Sequence, residues 1–211
     1  LLAAGADAVV HCGGLDGAVP LARALRAAGF RGPRLALQPV LEQEFPRAAG
    51  PAARGWIIGA TVVDATTALR ARAFAASYRS RYDTPPPRYA AEAYDANGYV
   101  ARGLRALDPG GDLRRGLTVR LPATVHPGVS KEIRFRQSDR TPSEHRLYLY
   151  RADADDFRFL GDYRGAMGAA VGRGGWPTTS SYHSPPAAVG AMAPRHRHQR
   201  RLAIEMLTCS P

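Results

Sequence analysis

Apolar and polar positions along this chain fall into short blocks whose period changes several times. Ala6-Asp7-Ala8-Val9-Val10-His11 is a brief apolar run bounded by glycines, which predicts a buried parallel strand. Cys12 to Gly17 reads as a loop. Ala18, Leu21, Ala22, Leu25 and Ala28 then share one helical face, predicting a helix over 17–28 with Asp16 as N-cap, Pro20 near the first turn and Gly29 as the stop. Leu35-Ala36-Leu37-Gln38 predicts a second strand, and strand, helix, strand at this spacing is a βαβ unit. A helix over 42–53, disturbed by Pro46 and Gly50-Pro51, leads to a third strand in the β-branched run Trp56 to Val63. The three strands are expected in one parallel sheet, because right-handed crossovers place the first helix on its face.

The next block is helical. Phe74, Tyr78 and Tyr82 stand four apart in a helix over 66–82 that Asp83-Thr84-Pro85-Pro86-Pro87 ends. Tyr89, Ala93, Ala96, Val100, Leu104 and Leu107 recur at three and four, predicting a helix over 89–107 packed on that face. A short helix is expected over 114–121. Alternation then takes over. Segments 132–136, 147–150 and 157–160 read as antiparallel strands, with turns at 138–142 and 153–156. From 165 to 211 the chain is rich in Gly, Pro, Ser, His and Arg without sustained period, and reads as a low-complexity basic tail, disordered apart from a weak helix near 200–207.

Composition changes this picture little. A chain of 211 residues with 45% hydrophobic residues builds a real core, and no apolar run approaches a membrane span. The net charge of +11 raises nucleic acid as a partner, but Lys131 is the single lysine and the arginines are scattered through every segment. A solvated basic surface is the reading taken, with no nucleic-acid partner. Cys12 and Cys209 are far apart and read as free thiols. The start at Leu1-Leu2-Ala3-Ala4-Gly5, without initiator Met or signal pattern, reads as a chain that begins in mid-fold.

Several segments together resemble the later half of the branched-chain amino-acid-binding family of ABC-importer solute-binding proteins. They are Ala6-Asp7-Ala8-Val9-Val10 with Gly13-Gly14, Leu25-Arg26-Ala27-Ala28-Gly29-Phe30, and Ala52-Ala53-Arg54-Gly55 before a strand. Further along come Phe74-Ala75-Ala76-Ser77-Tyr78-Arg79-Ser80-Arg81-Tyr82, Tyr89-Ala90-Ala91-Glu92-Ala93-Tyr94-Asp95-Ala96, the turn and strand from Gly128 to Phe135, Tyr148, and Phe159-Leu160-Gly161. Order and spacing carry the likeness over residues 3–163. It implies an α/β, partial type I periplasmic-binding-protein fold, with 1–63 in the second ligand-binding lobe, 64–164 returning to the first lobe with hinge strands, and 165–211 as the tail. It implies an extracytoplasmic protein, periplasmic or lipid-anchored. The expected protein is a monomer that binds an amino-acid-like solute and meets a membrane permease, with no cofactor and no metal.

The resemblance also marks a cleft. The family's lining positions fall here at Leu15, with Asp16 beside it, at Gln38 or Pro39, and at Tyr89, and only Tyr89 keeps the family's character. Gln38 in place of an acid leaves no obvious partner for a ligand ammonium. Strand ends and a helix N-terminus suit this role physically. Each residue also has a plainer reading: Leu15 as loop, Asp16 as cap, Gln38 as strand-end polar group, Tyr89 as packing at a helix start. Glu92 and Asp95 read as a solvated helix edge, and His196 and His198 as part of the tail rather than metal ligands. Gly-x-Ser-x-Gly, His-Glu-x-x-His and Gly-x-x-x-x-Gly-Lys motifs are absent, so no catalytic residues are expected. A ligand-sensing ectodomain of the same fold and a half-domain of an α/β enzyme stay open as alternatives.

Overall fold

Parallel pairing of three short apolar strands organises the molecule, seen here in a computed structural model that describes residues 5–108, 110–166 and the backbone of 202–205. Strand β1 (Ala8–His11), helix α1 (Leu15–Ala27), β2 (Arg34–Leu37), α2 (Glu44–Ala49) and β3 (Ile57–Ala60) follow in order. β2 lies between β1 and β3, parallel to both, as the spacing predicts. Then come α3 (Arg72–Tyr82), α4 (Ala90–Leu104), α5 (Leu113–Arg120) and a two-residue pair, β4 (His126–Pro127) with β5 (Glu132–Ile133). β6 (Tyr148–Ala152) and β7 (Phe157–Asp162) form an antiparallel hairpin that joins the main sheet along β3. Leu202–Glu205 is β8, parallel to β1, giving the order β7-β6-β3-β2-β1-β8. This corrects the helix expected near 200–207. The outer edge of β1 presents unpaired backbone groups that a short extended segment satisfies. Other residues of the expected tail beyond 166 lie outside those described.

One cross-sheet row explains the core. His11, Ala36, Ile58, Tyr150 and Phe159 are successive partners across five strands. The first four are buried, under α1 and α2, whose Ala18, Ala22, Leu25, Phe45 and Ala49 face the same core. Opposite this row the sheet is barer: Leu35 and Leu37 of β2 are exposed, so only one face of β2 is packed among the described residues.

Two local expectations change. The N-cap of α1 is Gly14, not Asp16, whose carboxylate instead sits in the first turn where the helix dipole favours it. Pro20 lies inside the helix, beyond the first turn, where it supplies no N–H to the carbonyl of Asp16. The packed side of α4 also differs from the expected one. Ala91, Asp95, Tyr99 and Gly103 are buried, whereas Tyr89, Val100 and Leu104 are exposed. Small residues let neighbours approach: a Cβ on Gly98 would stand 2.7 Å from the His126 ring, and one on Gly103 2.8 Å from Leu121.

Candidate functional site

The C-terminal ends of β1, β2 and β3 open onto one edge of the sheet. Here the chain is laced by side chains rather than by strand pairing. His11 Nε2 donates to Gly14 O at 3.0 Å, which leaves Nδ1 buried without a partner and shapes the turn before Leu15 and Asp16. Gln38 Oε1 accepts from both Thr61 N and Thr61 Oγ1, each at 2.9 Å, tying the end of β2 to the exit of β3. Lys131 Nζ donates to Thr61 O at 3.0 Å.

Helix α4 fixes this exit from behind. Glu92 Oε1 accepts from Val63 N at 2.8 Å. Asp95 is buried and accepts from Val129 N and Ser130 N, both at 2.7 Å, and from Ser130 Oγ at 2.5 Å. Glu92 and Asp95 are therefore not a solvated edge: the carboxylates face inward because backbone N–H groups of two distant segments require acceptors there. Tyr148 and Tyr150 complete the lacing, their hydroxyls donating to Ser130 O at 3.1 Å and Val62 O at 3.0 Å. The exit of β3, segment 61–65, and the β4–β5 connection, segment 128–131, are thus held side by side.

Burial pushes the phenols of Tyr148 and Tyr150 up from their ordinary value. The folded state therefore keeps these protons to higher pH than the unfolded chain, whose tyrosines titrate near about 10. Their stabilisation is full below that pH and declines as pH rises beyond it. Unfolding free energy measured from pH 8 to 11 should fall above pH 10, and Tyr150→Phe should flatten that fall while costing about 1 kcal/mol at pH 8 for the lost hydrogen bond.

The four residues singled out from sequence sit as follows. Leu15 and Asp16 open α1 at this edge, and the tight turn from Gln38 packs against α1. Tyr89 precedes α4 with φ of +71°, left-handed backbone that a tyrosine rarely adopts. The residue is 41% exposed. Gln38 and α4 meet the same segment, 61–63, from two sides. A separate cavity of about 530 Å³ lies beyond this segment, lined by Glu42, Asp64, Arg88, Tyr150 and Phe157 among others, and includes none of the four. Thr61 and Lys131 were not marked as site residues by the sequence, and Glu92 and Asp95 were marked only as a solvated helix edge. The one available signal was the strict spacing of four from Ala91 through Asp95 and Tyr99 to Gly103.

A sequence profile described as periplasmic binding protein matches residues 1–156. The chain belongs to that family. Solved structures of this kind share its fold. A leucine-binding protein from Thermotoga maritima superposes with TM-score 0.63 at 18% identity, over 76% of this chain and 45% of that one. A putative branched-chain amino acid ABC transporter protein from Rhodospirillum rubrum gives 0.59 at 26% identity, over 73% and 44%. A solute-binding protein from R. palustris, solved with benzoate, gives 0.55 at 21% identity, over 76% and 44%. The chain thus spans less than half the length of these structures. A comparison with curated proteins finds no match. The resemblance read from the residues holds, and the periplasmic binding proteins are a family of solute binders rather than enzymes. In this periplasmic binding protein the laced strand-end edge is the candidate binding surface.

Proposed function

We propose that this periplasmic binding protein is the extracytoplasmic solute-binding component of an ABC importer, taking up an amino acid or similar small organic solute without transforming it. Residues 1–63 then belong to the second lobe and 64–164 return toward the first. Leu15, Asp16, Gln38 and Tyr89 line the lobe-facing edge. What supports this reading most is Tyr89. Its backbone is held left-handed, at a cost of about 1 kcal/mol or more, yet its ring makes no hydrogen bond, ring stack or ion pair among the described residues. Strain that no polar or aromatic contact of the ring offsets points to a ligand wall.

Tyr89→Gly tests the reading in the protein as it is encoded, with all flanking sequence. Glycine accepts this backbone freely, so the variant should be more stable by about 0.5–1 kcal/mol in urea unfolding. It should nevertheless bind solute about 1–3 kcal/mol more weakly by calorimetry, because an aromatic wall is gone. Greater stability with unchanged affinity would reduce Tyr89 to a helix-entry residue. Turnover of a bound solute would overturn the transport role.

A further inference from the structure

From the same strand-end edge we infer the class of solute: one that presents a carboxylate, and no ammonium group, to Gln38 and Lys131. This rests on the solute-binding reading above. The orientation of the Gln38 amide is settled by its partners. Thr61 N–H can only donate, so the atom facing it at 2.9 Å is the carbonyl oxygen, and Thr61 Oγ1 shares the same acceptor. The amide oxygen is thereby used within the protein, and the end left free is the NH2 group, a donor.

Lys131 meets the same residue, Thr61, at its carbonyl. One ammonium hydrogen goes to Thr61 O at 3.0 Å, and two remain. Lys131 makes no ion pair among the described residues; its neighbour Glu132 is turned to Arg134 at 3.2 Å. Thr61 is exposed, while Gln38 and Lys131 are half-exposed, so the free donors border solvent. The edge therefore offers donors from both flanking side chains, one of them cationic. A carboxylate satisfies such a pair with charge-assisted hydrogen bonds. An ammonium group brought to Gln38 and Lys131 meets like charge and no acceptor from either side chain, so a zwitterionic amino acid would have to turn its ammonium to Asp16 at the start of α1 instead, an arrangement that the leucine arm of the test reads.

Calorimetry on the protein as encoded decides this, with leucine, its deaminated 2-oxo and 2-hydroxy acids, benzoate and succinate as probes. A carboxylate lacking ammonium should bind at least about tenfold more tightly than leucine. Lys131→Gln should weaken it roughly tenfold or more, and Lys131→Arg should retain most of the affinity. Gln38→Glu, which sets a carboxylate beside Lys131, should abolish acid binding and improve that of leucine. Thermal midpoints are recorded for each variant, so that loss of fold is seen as such, and Gln38→Glu carries the test if Lys131→Gln unfolds. Leucine preferred over its deaminated acids, or acid affinity unmoved by both substitutions, overturns the inference and leaves the solute-binding reading standing. Failure to bind any small organic solute in a broad panel overturns that reading itself, and this inference with it.

Discussion

Asp95→Ala is expected to destabilise the protein by about 3–5 kcal/mol. The carboxylate accepts from Val129 N, Ser130 N and Ser130 Oγ and is itself 1% exposed. Truncation leaves two backbone donors without an acceptor inside the protein, and each such loss costs about 1–3 kcal/mol, on top of charge-assisted bonds that are stronger than neutral ones. The neighbourhood leaves no room for rearrangement. A Cβ on Gly128 would collide with the Asp95 carboxylate and with Lys131 O, so Gly128→Ala should be destabilising for the same reason. Asp95→Asn keeps the shape but turns a donor toward a donor, and should lose roughly half as much as Asp95→Ala. Urea unfolding gives the values. A loss below about 1 kcal/mol for Asp95→Ala would show that the 128–131 segment is held by other contacts.

Trp56→Ala is expected to cost about 3–5 kcal/mol by opening a cavity at the centre of the core. Trp56 is fully buried and meets Phe45 edge-on, ring centroids 5.7 Å apart, while Phe45 stacks on Phe157 at 6.4 Å. Its backbone carbonyl accepts from Ala152 N, so the same residue binds β3 to the hairpin. Trp56→Phe should cost much less, about 1–1.5 kcal/mol, because indole Nε1 has no hydrogen-bond partner to lose and the smaller ring still fills most of the site. Chemical denaturation of both variants checks the contrast. Equal losses would mean that the edge contact with Phe45, rather than volume, sets the energy.

Much of the fold was legible from local pattern. The runs at 8–11, 34–37 and 57–60 are short, apolar and separated by one helix each, and they pair in parallel as that spacing requires. The hairpin of β6 and β7 was equally readable from alternation at 147–150 and 157–160 around the turn at 153–156. The candidate site was legible only in part. Gln38 and Tyr89 could be placed at a strand end and a helix start, but nothing local revealed that the Gln38 amide oxygen is already taken by Thr61 or that Tyr89 is left-handed.

Helix α4 shows where periodicity stops informing. Counting bulky apolar residues selects Val100 and Leu104, which are exposed. The packed side is marked by small residues and by Asp95, since close approach of His126 and Leu121 needs room at Gly98 and Gly103, and a carboxylate is welcome where backbone donors converge. The sequence by itself therefore determined β1 to β3 and their parallel order, the β6–β7 hairpin, the main helices and the family likeness, because these follow from the residue's own side chain and its near neighbours. The tertiary structure alone decided the inward turn of Glu92 and Asp95, the lacing of Thr61 by Gln38 and Lys131, the open face of β2 and the placing of 202–205 beside β1. Each of these depends on a donor, an acceptor or a strand edge supplied from tens of residues away, which no local period records.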